Sequence, residues 1–342
     1  MSRPARILLV SSWGGRILVR RIVTSDTADA LHESFRHEAI LYAGQQEFVD
    51  RIAAFVREGA EAGEPVLVVV GANKIEWLRS ALDDLDDGAV RYADMAAVGR
   101  NPARIIPAWR AFTDEHRSYA RLRGVGEPIY PDRSPDELVE SQLHEALLNL
   151  AFATGPGLWL ACPYDTSALP STVIDEALRT HPLVWDRDPG RPTGTYPGLE
   201  AVAMPFDRAL PDPPFLVETV PFGPMDLHAA RTFVGRAAAD AGLGPLRTYD
   251  LVLAASEVVT NSVRHGGGEG TVRVWRHGEV VVCEVRDGGR FDRPLAGRVR
   301  PTPDQTSGYG LWLANQVCDL VQIRSFEDGS VVRLHISARD AS

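Results

Sequence analysis

The chain has 342 residues, about twice the length at which one hydrophobic core is usually complete, so we expect two domains. Its 44% hydrophobic and 24% charged residues are typical of a globular protein, and its net charge of −10 argues against a general nucleic-acid binder, which needs a basic surface. No apolar run approaches the roughly 18 residues that span a bilayer, so we expect no membrane segment and a cytoplasmic location.

Residues 1–33 have a basic start and an apolar run too short for a signal peptide, so we interpret them as a flexible leader or a start site assigned too early. Helical and strand patterns then alternate. The predicted helices cover 45–62, 74–85, 102–122, 135–153 and 171–180, and the predicted strands cover 65–70, 90–92 and 157–164. Strands separated by helices predict an α/β layered domain with a largely parallel sheet over 34–185.

A stretch rich in proline and glycine predicts a linker over 186–219. After it the order of elements changes. Helices are predicted at 226–241, 245–265 and 309–319, and strands at 271–277, 280–287, 320–326 and 330–336. Residues 220–338 are therefore predicted to form an α+β sandwich, with helices packed on one face of an antiparallel-rich sheet.

Three cysteines, Cys162, Cys283 and Cys318, show no CxxC spacing. The sequence therefore predicts neither a disulfide framework nor a zinc site, and the three thiols are expected to be reduced and mostly buried.

The predicted helix over 245–265 carries a polar pair suited to phosphate chemistry. Glu257 and Asn261 are four residues apart and so share one helical face. A carboxylate and an amide aimed at one spot can hold a hard cation and orient a hydroxyl nucleophile. An exposed polar pair without a function would have the same spacing.

Two glycine-containing segments complete the pattern. Asp287 ends a predicted strand before Gly289, where glycine lets a flat ligand approach the backbone and a carboxylate suits an exocyclic amino group. Gly308 and Gly310 open a predicted helix, whose free N–H groups favour phosphate oxygens. Each segment alone also fits an ordinary turn or helix start.

Together the segments SEVVTNSVRHG, DGGRF and SGYGLWL resemble the Bergerat, or GHKL, ATP-binding fold. They are most similar to the anti-sigma-factor serine-protein kinases of the RsbW type. The resemblance implies ATP and Mg²⁺ as cofactors, Glu257 as the general base and Asn261 as the Mg²⁺ ligand. It also implies that Asp287 binds adenine and that the nucleotide pocket is shaped by Gly289, Gly308, Gly310 and Leu311.

Two positions depart from that family. Phe291 stands where the adenine segment often has a second glycine, and Thr306 stands where some of these kinases have a basic residue. The first bears on the shape of the pocket and the second on catalysis. His144, in a His-Glu-Ala-Leu segment, is similar to a histidine-kinase phosphoacceptor, but a strand and a linker separate it from the ATPase region. We therefore favour a core or pocket histidine.

The first domain resembles the MEDS sensory domain over about 34–185. The resemblance lies in SFRHEAILY, EHRSYARLRGVGEP, LWLACPYD and residues 65–70. It implies an input role that responds to a small molecule, and the candidate pocket residues are His37, Arg117, Arg123, Glu127, His144 and Glu145. Each also fits an ordinary role, as a helix staple, a solvated side chain or a buried polar pair.

The two resemblances imply a regulator in a sigma-factor partner-switching pathway. A sensory domain would control an ATP-dependent kinase that phosphorylates serine or threonine on an anti-sigma antagonist of the STAS type and sequesters a sigma factor. Kinases of this kind commonly act as homodimers. Two alternatives stay open: a catalytically inactive module that binds nucleotide and captures partners, and a two-component histidine kinase.

Overall fold

The computed structural model describes residues 10–13, 16–19, 35–86, 88–155, 157–202, 208–302, 305 and 308–338. The predicted leader lies outside these residues except for the backbone of an antiparallel hairpin, β1 (Val10–Trp13) and β2 (Arg16–Val19). Thr306 also lies outside them. Within the described ranges, no helix is both long enough and apolar enough to cross a bilayer.

The first domain is built on a seven-stranded sheet. Its strands are β3 (Phe35–Tyr42), β4 (Val66–Val70), β5 (Val90–Asp94), β6 (Arg121–Gly126), β7 (Gly157–Asp165), β8 (Leu183–Trp185) and β9 (Arg191–Pro192). The order is β5-β4-β6-β7-β3-β8-β9, and every pair is parallel except β8 with β9. The predicted α/β layer with a largely parallel sheet is confirmed.

Helices cover both faces of this sheet. One face packs against α1 (Gly44–Glu61) and α2 (Ala72–Ala81). The other packs against α4 (Ile105–Glu115), α5 (Pro135–Ala151) and α6 (Ser171–Thr180), while the four-residue α3 (Met95–Val98) follows β5. Successive strand residues point to opposite faces, so neighbouring positions of one strand lie in different apolar cores.

The structure differs from the sequence prediction around residues 102–122. The predicted helix there is a 3₁₀ turn followed by α4, and it ends at Glu115. Residues 121–126 form β6, a central strand of the sheet. The sequence RLRGVG alternates arginine with small or apolar residues, so it lacks the apolar run by which the other buried strands were recognised.

The first part of the predicted linker belongs to the first domain. Arg191–Pro192 pairs with β8, and Ala201 is buried in the apolar core under α5. Turn-forming residues marked the segment as irregular, but they do not show which surface an irregular segment packs against.

The second domain is a five-stranded antiparallel sheet covered on one face by three helices. The elements in chain order are β10 (Thr219–Phe222), α7 (Leu227–Asp240), α8 (Pro245–His265), β11 (Gly270–His277), β12 (Val280–Asp287), α9 (Tyr309–Val317), β13 (Leu320–Phe326) and β14 (Gly329–Ser337). The strand order is β10-β11-β12-β14-β13. The predicted α+β sandwich is confirmed, with β10 as an additional edge strand.

A buried ion pair joins the two domains. Glu140 of α5 accepts hydrogen bonds from Arg298 Nη2 at 3.2 Å and from Arg324 Nη1 at 2.8 Å, and none of the three side chains is more than 8% exposed. Nearby, Asn101 Nδ2 donates to Asn315 Oδ1 of α9 at 3.1 Å. The first domain therefore contacts α9, β13 and the loop that precedes α9.

We expect Glu140→Gln to destabilise the protein strongly, because it leaves two buried guanidinium groups without a counter-charge. Losing one partner of a buried ion pair costs about 3–5 kcal/mol. The measurement is urea unfolding followed by tryptophan fluorescence. Glu115→Gln is the matched control, since Glu115 pairs with Arg91 on the surface and both side chains are about half exposed. Equal urea midpoints of unfolding for Glu140→Gln and Glu115→Gln would contradict a buried charge at residue 140.

Candidate functional site

Helix α8 places Glu257 and Asn261 side by side. Its buried face, which includes Ala254 and Val258, packs onto the sheet and fixes the orientation of the helix. Glu257 and Asn261 are half-buried, and neither has a hydrogen-bond or ion-pair partner among the described residues. Both polar groups are therefore free to bind a ligand.

The first turn of α9 lies directly against this pair. A β-carbon on Gly310 would come within 2.7 Å of Glu257 Oε2 and 3.3 Å of Asn261 Nδ2. The helix begins after Gly308, whose φ of 99° is in the left-handed region that favours glycine. Leu311 packs on the apolar core of the second domain. The two glycines thus allow the amino terminus of α9 to contact the carboxylate and the amide.

Asp287 contacts the same helix from the end of β12. Its Oδ2 accepts a hydrogen bond from the Ser262 hydroxyl of α8 at 2.6 Å. Its Oδ1 accepts from the Ser330 hydroxyl and from the Gly289 N–H, both at 2.8 Å. A carboxylate has about four lone-pair sites, so these three bonds fix its orientation and leave one site for a ligand.

Close backbone packing surrounds Asp287. A β-carbon on Gly289 would lie 2.5 Å from the Cα of Gly266 and 3.0 Å from the carbonyl oxygen of His265. The glycine is therefore required where β12 passes the end of α8. Two positions further on, the N–H of Phe291 donates to the Ser325 hydroxyl of β13 at 2.8 Å, so the start of the following loop is tied to the sheet.

The six polar candidates of the first domain do not form one pocket. His37 and Glu145 meet on the sheet face covered by α4 to α6, with Nε2 and Oε2 at 3.1 Å. Arg123 lies on the opposite face, where its Nε donates to Glu64 Oε2 at 2.6 Å and its guanidinium stacks on Phe55. The alternation of side chains along strands separates them.

Glu127 and Arg117 lie apart from His37 as well. Glu127 is buried next to Lys74 and Tyr42, at the carboxyl ends of β6 and β3. Burial raises the pKa of Glu127, although Lys74 opposes that shift. Arg117 is exposed in the turn after α4. The pocket predicted from these residues is therefore corrected to several separate polar contacts.

His144 is 1% exposed on α5, and burial lowers its pKa to about 3. A phosphoacceptor histidine must reach the γ-phosphate of a nucleotide, so burial of this ring agrees with the interpretation of His144 as a core residue. Sequence reasoning missed two residues that lie against His37 and Glu145, namely Cys162 and His181. They are distant in the sequence and have no ligand-like spacing.

The fold and the polar residues along α8 define a two-domain protein with an α/β layered domain and an α+β sandwich. Residues 36–182 match the family model of MEDS, the MEthanogen/methylotroph, DcmR Sensory domain, and residues 220–336 match that of the histidine kinase-like ATPase domain. Residues 36–182 are therefore similar to MEDS domains and residues 220–336 to histidine kinase-like ATPase domains, in agreement with both resemblances seen in the sequence.

Two solved structures are similar to parts of the chain. The first contains the RsbU and RsbW domains of a Mycobacterium tuberculosis protein, at 20% identity over 35% of this chain and 32% of that chain, with a TM-score of 0.27. The second is the histidine kinase AdeS of Acinetobacter baumannii, at 12% identity over 37% of this chain and 70% of that chain, with a TM-score of 0.22. No curated protein matches the sequence.

Because Gly310 contacts Glu257, we expect activity to be sensitive to substitution of residue 310. Gly310→Ala pushes the Glu257 carboxylate away, and a displacement of about 1 Å at a reacting group can cost about 100-fold in rate. We expect ATP hydrolysis to fall by that order while thermal unfolding changes little. Gly235→Ala is the control, because its β-carbon would meet Val252 at an ordinary 3.4 Å. Similar hydrolysis rates in the two variants would disprove the contact.

Proposed function

We propose that the protein is a cytoplasmic anti-sigma-factor regulator. Its second domain binds ATP with Mg²⁺ and transfers the γ-phosphoryl group to a serine or threonine of an anti-sigma antagonist of the STAS type. The first domain controls that transfer in response to a small molecule. The observation that supports this most is the convergence of Glu257, Asn261 and Asp287 on one helix of a histidine kinase-like ATPase domain.

Glu257 and Asn261 have the properties that phosphoryl transfer requires. The uncommitted amide oxygen of Asn261 is the kind of hard ligand that Mg²⁺ prefers. The Glu257 carboxylate, four residues away on the same face, accepts the proton of the attacking hydroxyl. When bound, Mg²⁺ neutralises charge on the transferred phosphoryl group. The N–H groups at the start of α9 favour the phosphate oxygens.

Asp287 provides selectivity for adenine. Its fixed carboxylate has one lone-pair site left, which accepts a hydrogen bond from the exocyclic amino group of the base. Gly266 and Gly289 have no side chains, which lets the end of α8 pack directly against Asp287 and holds the carboxylate in place. A guanine base presents an oxygen at the corresponding position, and two acceptors repel one another.

The interdomain contacts support control by the first domain. Glu140 of α5 binds Arg298 in the loop before α9, and Asn101 binds Asn315 in α9 itself. The other end of α9 touches Glu257 through Gly310. A shift of α5 upon ligand binding therefore reaches the catalytic carboxylate through two contacts.

The partner proteins are a sigma factor and an anti-sigma antagonist of the STAS type, which compete for one surface near the loop 288–307, and the regulator acts as a homodimer. These assignments rest on the resemblance of SEVVTNSVRHG, DGGRF and SGYGLWL to RsbW-type kinases. Mutual exclusion of the two partners provides the physical basis of the switch.

The test is transfer of label from γ-labelled ATP to purified STAS-domain proteins of the native host. Removing a general base costs about 10²–10⁴-fold, so we expect Glu257→Ala to bind ATP but to lose transfer by that factor. Asn261→Ala loses Mg²⁺-dependent ATP binding itself. Glu327→Ala, in the exposed turn between β13 and β14, is the control and retains both properties.

Three results would overturn the proposal. Tight ATP binding without transfer to any host STAS protein favours a module that acts by partner capture. Label that is lost in acid is phosphohistidine and favours a two-component kinase, whereas phosphoserine survives acid. Transfer that is unaffected by Glu257→Ala removes the assigned base.

A further inference from the structure

Four metal-binding side chains meet in the core of the first domain, away from the nucleotide-binding region. His37 comes from β3, Glu145 from α5 and Cys162 from β7, and His181 follows α6. All four are at most 1% exposed, and their donor atoms lie within 4.8 Å of one another. Four separate elements therefore deliver one donor atom each to the same point.

Four of the six distances between the donor atoms are close to those of a tetrahedral metal site. The distances are 3.1 Å from His37 Nε2 to Glu145 Oε2, 3.4 Å from His37 Nε2 to Cys162 Sγ and 3.6 Å from Cys162 Sγ to Glu145 Oε2. His181 Nε2 lies 3.4 Å from Glu145 Oε2. Zinc–ligand bonds of about 2.0–2.3 Å place ligand atoms about 3.3–3.6 Å apart in a tetrahedron.

Hydrogen bonds outside the cluster fix which nitrogen of each histidine carries the proton. His37 Nδ1 lies 3.1 Å from Asn149 Oδ1, and the Asn149 amide is oriented by donating to the carbonyl of Thr180 at 2.8 Å. His181 Nδ1 lies 2.9 Å from the carbonyl oxygen of Ala177. Both Nδ1 atoms are therefore protonated, and both Nε2 lone pairs point into the cluster, as in metal-binding histidines.

Without a cation this arrangement is unfavourable. Two imidazole lone pairs and a carboxylate face one another, and the Cys162 thiol has one proton to share among them. His181 Nε2 and Glu145 Oε1 are buried without a hydrogen-bond partner in the described part of the chain. Buried polar atoms left unpaired are energetically unfavourable, so a ligand that satisfies them is expected.

We propose that the first domain binds one Zn²⁺ ion through His37 Nε2, Glu145, Cys162 Sγ and His181 Nε2. The thiol proton is released to solvent on binding. The ion, the thiolate and the carboxylate then sum to zero charge, which suits a site in an apolar core. Nitrogen, oxygen and sulfur donors in a tetrahedron are typical of zinc, and four protein ligands make a closed site.

The cysteines show no CxxC spacing because a single cysteine takes part, with its partner ligands on other elements.

The test is metal analysis of the full-length protein purified without chelators and equilibrated with Zn²⁺. We expect one tightly bound Zn²⁺ per chain by mass spectrometry, and a thiolate-to-cobalt charge-transfer band after exchange with Co²⁺. Cys162→Ala abolishes the band. Cys283→Ala and Cys318→Ala are the matched controls, since both are buried free cysteines of the second domain and should leave the band unchanged.

A second variant tests the zinc site without removing a metal ligand. Asn149→Leu removes the outer hydrogen bond of His37 and the hydrogen bond of Asn149 to the Thr180 carbonyl but leaves all four ligands in place, and loss of such an outer partner weakens metal binding about 10–100-fold. The Asn149→Leu variant tests zinc binding even when Cys162→Ala does not fold. Wild-type protein without stoichiometric zinc, a cobalt spectrum without the band, or a band that persists in Cys162→Ala would each overturn the proposal.

Discussion

The buried Glu140 carboxylate is the interaction on which the joint between the domains depends. Two guanidinium groups, Arg298 and Arg324, share it in a region with almost no solvent. Charges in such a place are tolerated only when they are paired with good geometry, so the three groups cannot move independently. They come from α5, from the loop before α9 and from β13, so this ion pair ties the two domains together.

Helix α5 serves two separate polar sites because of its own periodicity. Glu140 and Glu145 are five residues apart, which turns their side chains well away from one another around the helix. Glu140 therefore faces the second domain, while Glu145 and Asn149, four residues apart, face the sheet and its histidines. A Ser134 capping box fixes the start of this helix. One rigid element thus connects the core of the sensory domain with the loop of the ATPase domain.

The sequence placed candidate site residues together most readily where they lie on a single helix. Glu257 and Asn261 could be placed on one face because the 3.6-residue repeat is local. His37 and Arg123 could not be separated in the same way, since their faces depend on strands that the sequence did not reveal, above all β6 with its alternating arginines. Cys162 and His181 escaped notice because only the tertiary fold brings them to His37.

Helix α9 is where the two halves of the molecule affect one another. Its carboxyl-terminal half is held by Asn101 from the first domain, through the side chain and the carbonyl of Asn315. Its first turn lies on Glu257, with no side chain at residue 310 to act as a spacer. A helix of nine residues is too short to absorb a displacement at one end by bending. Movement at the domain joint therefore changes the distance between α9 and the polar face of α8, where the proposed nucleotide site lies.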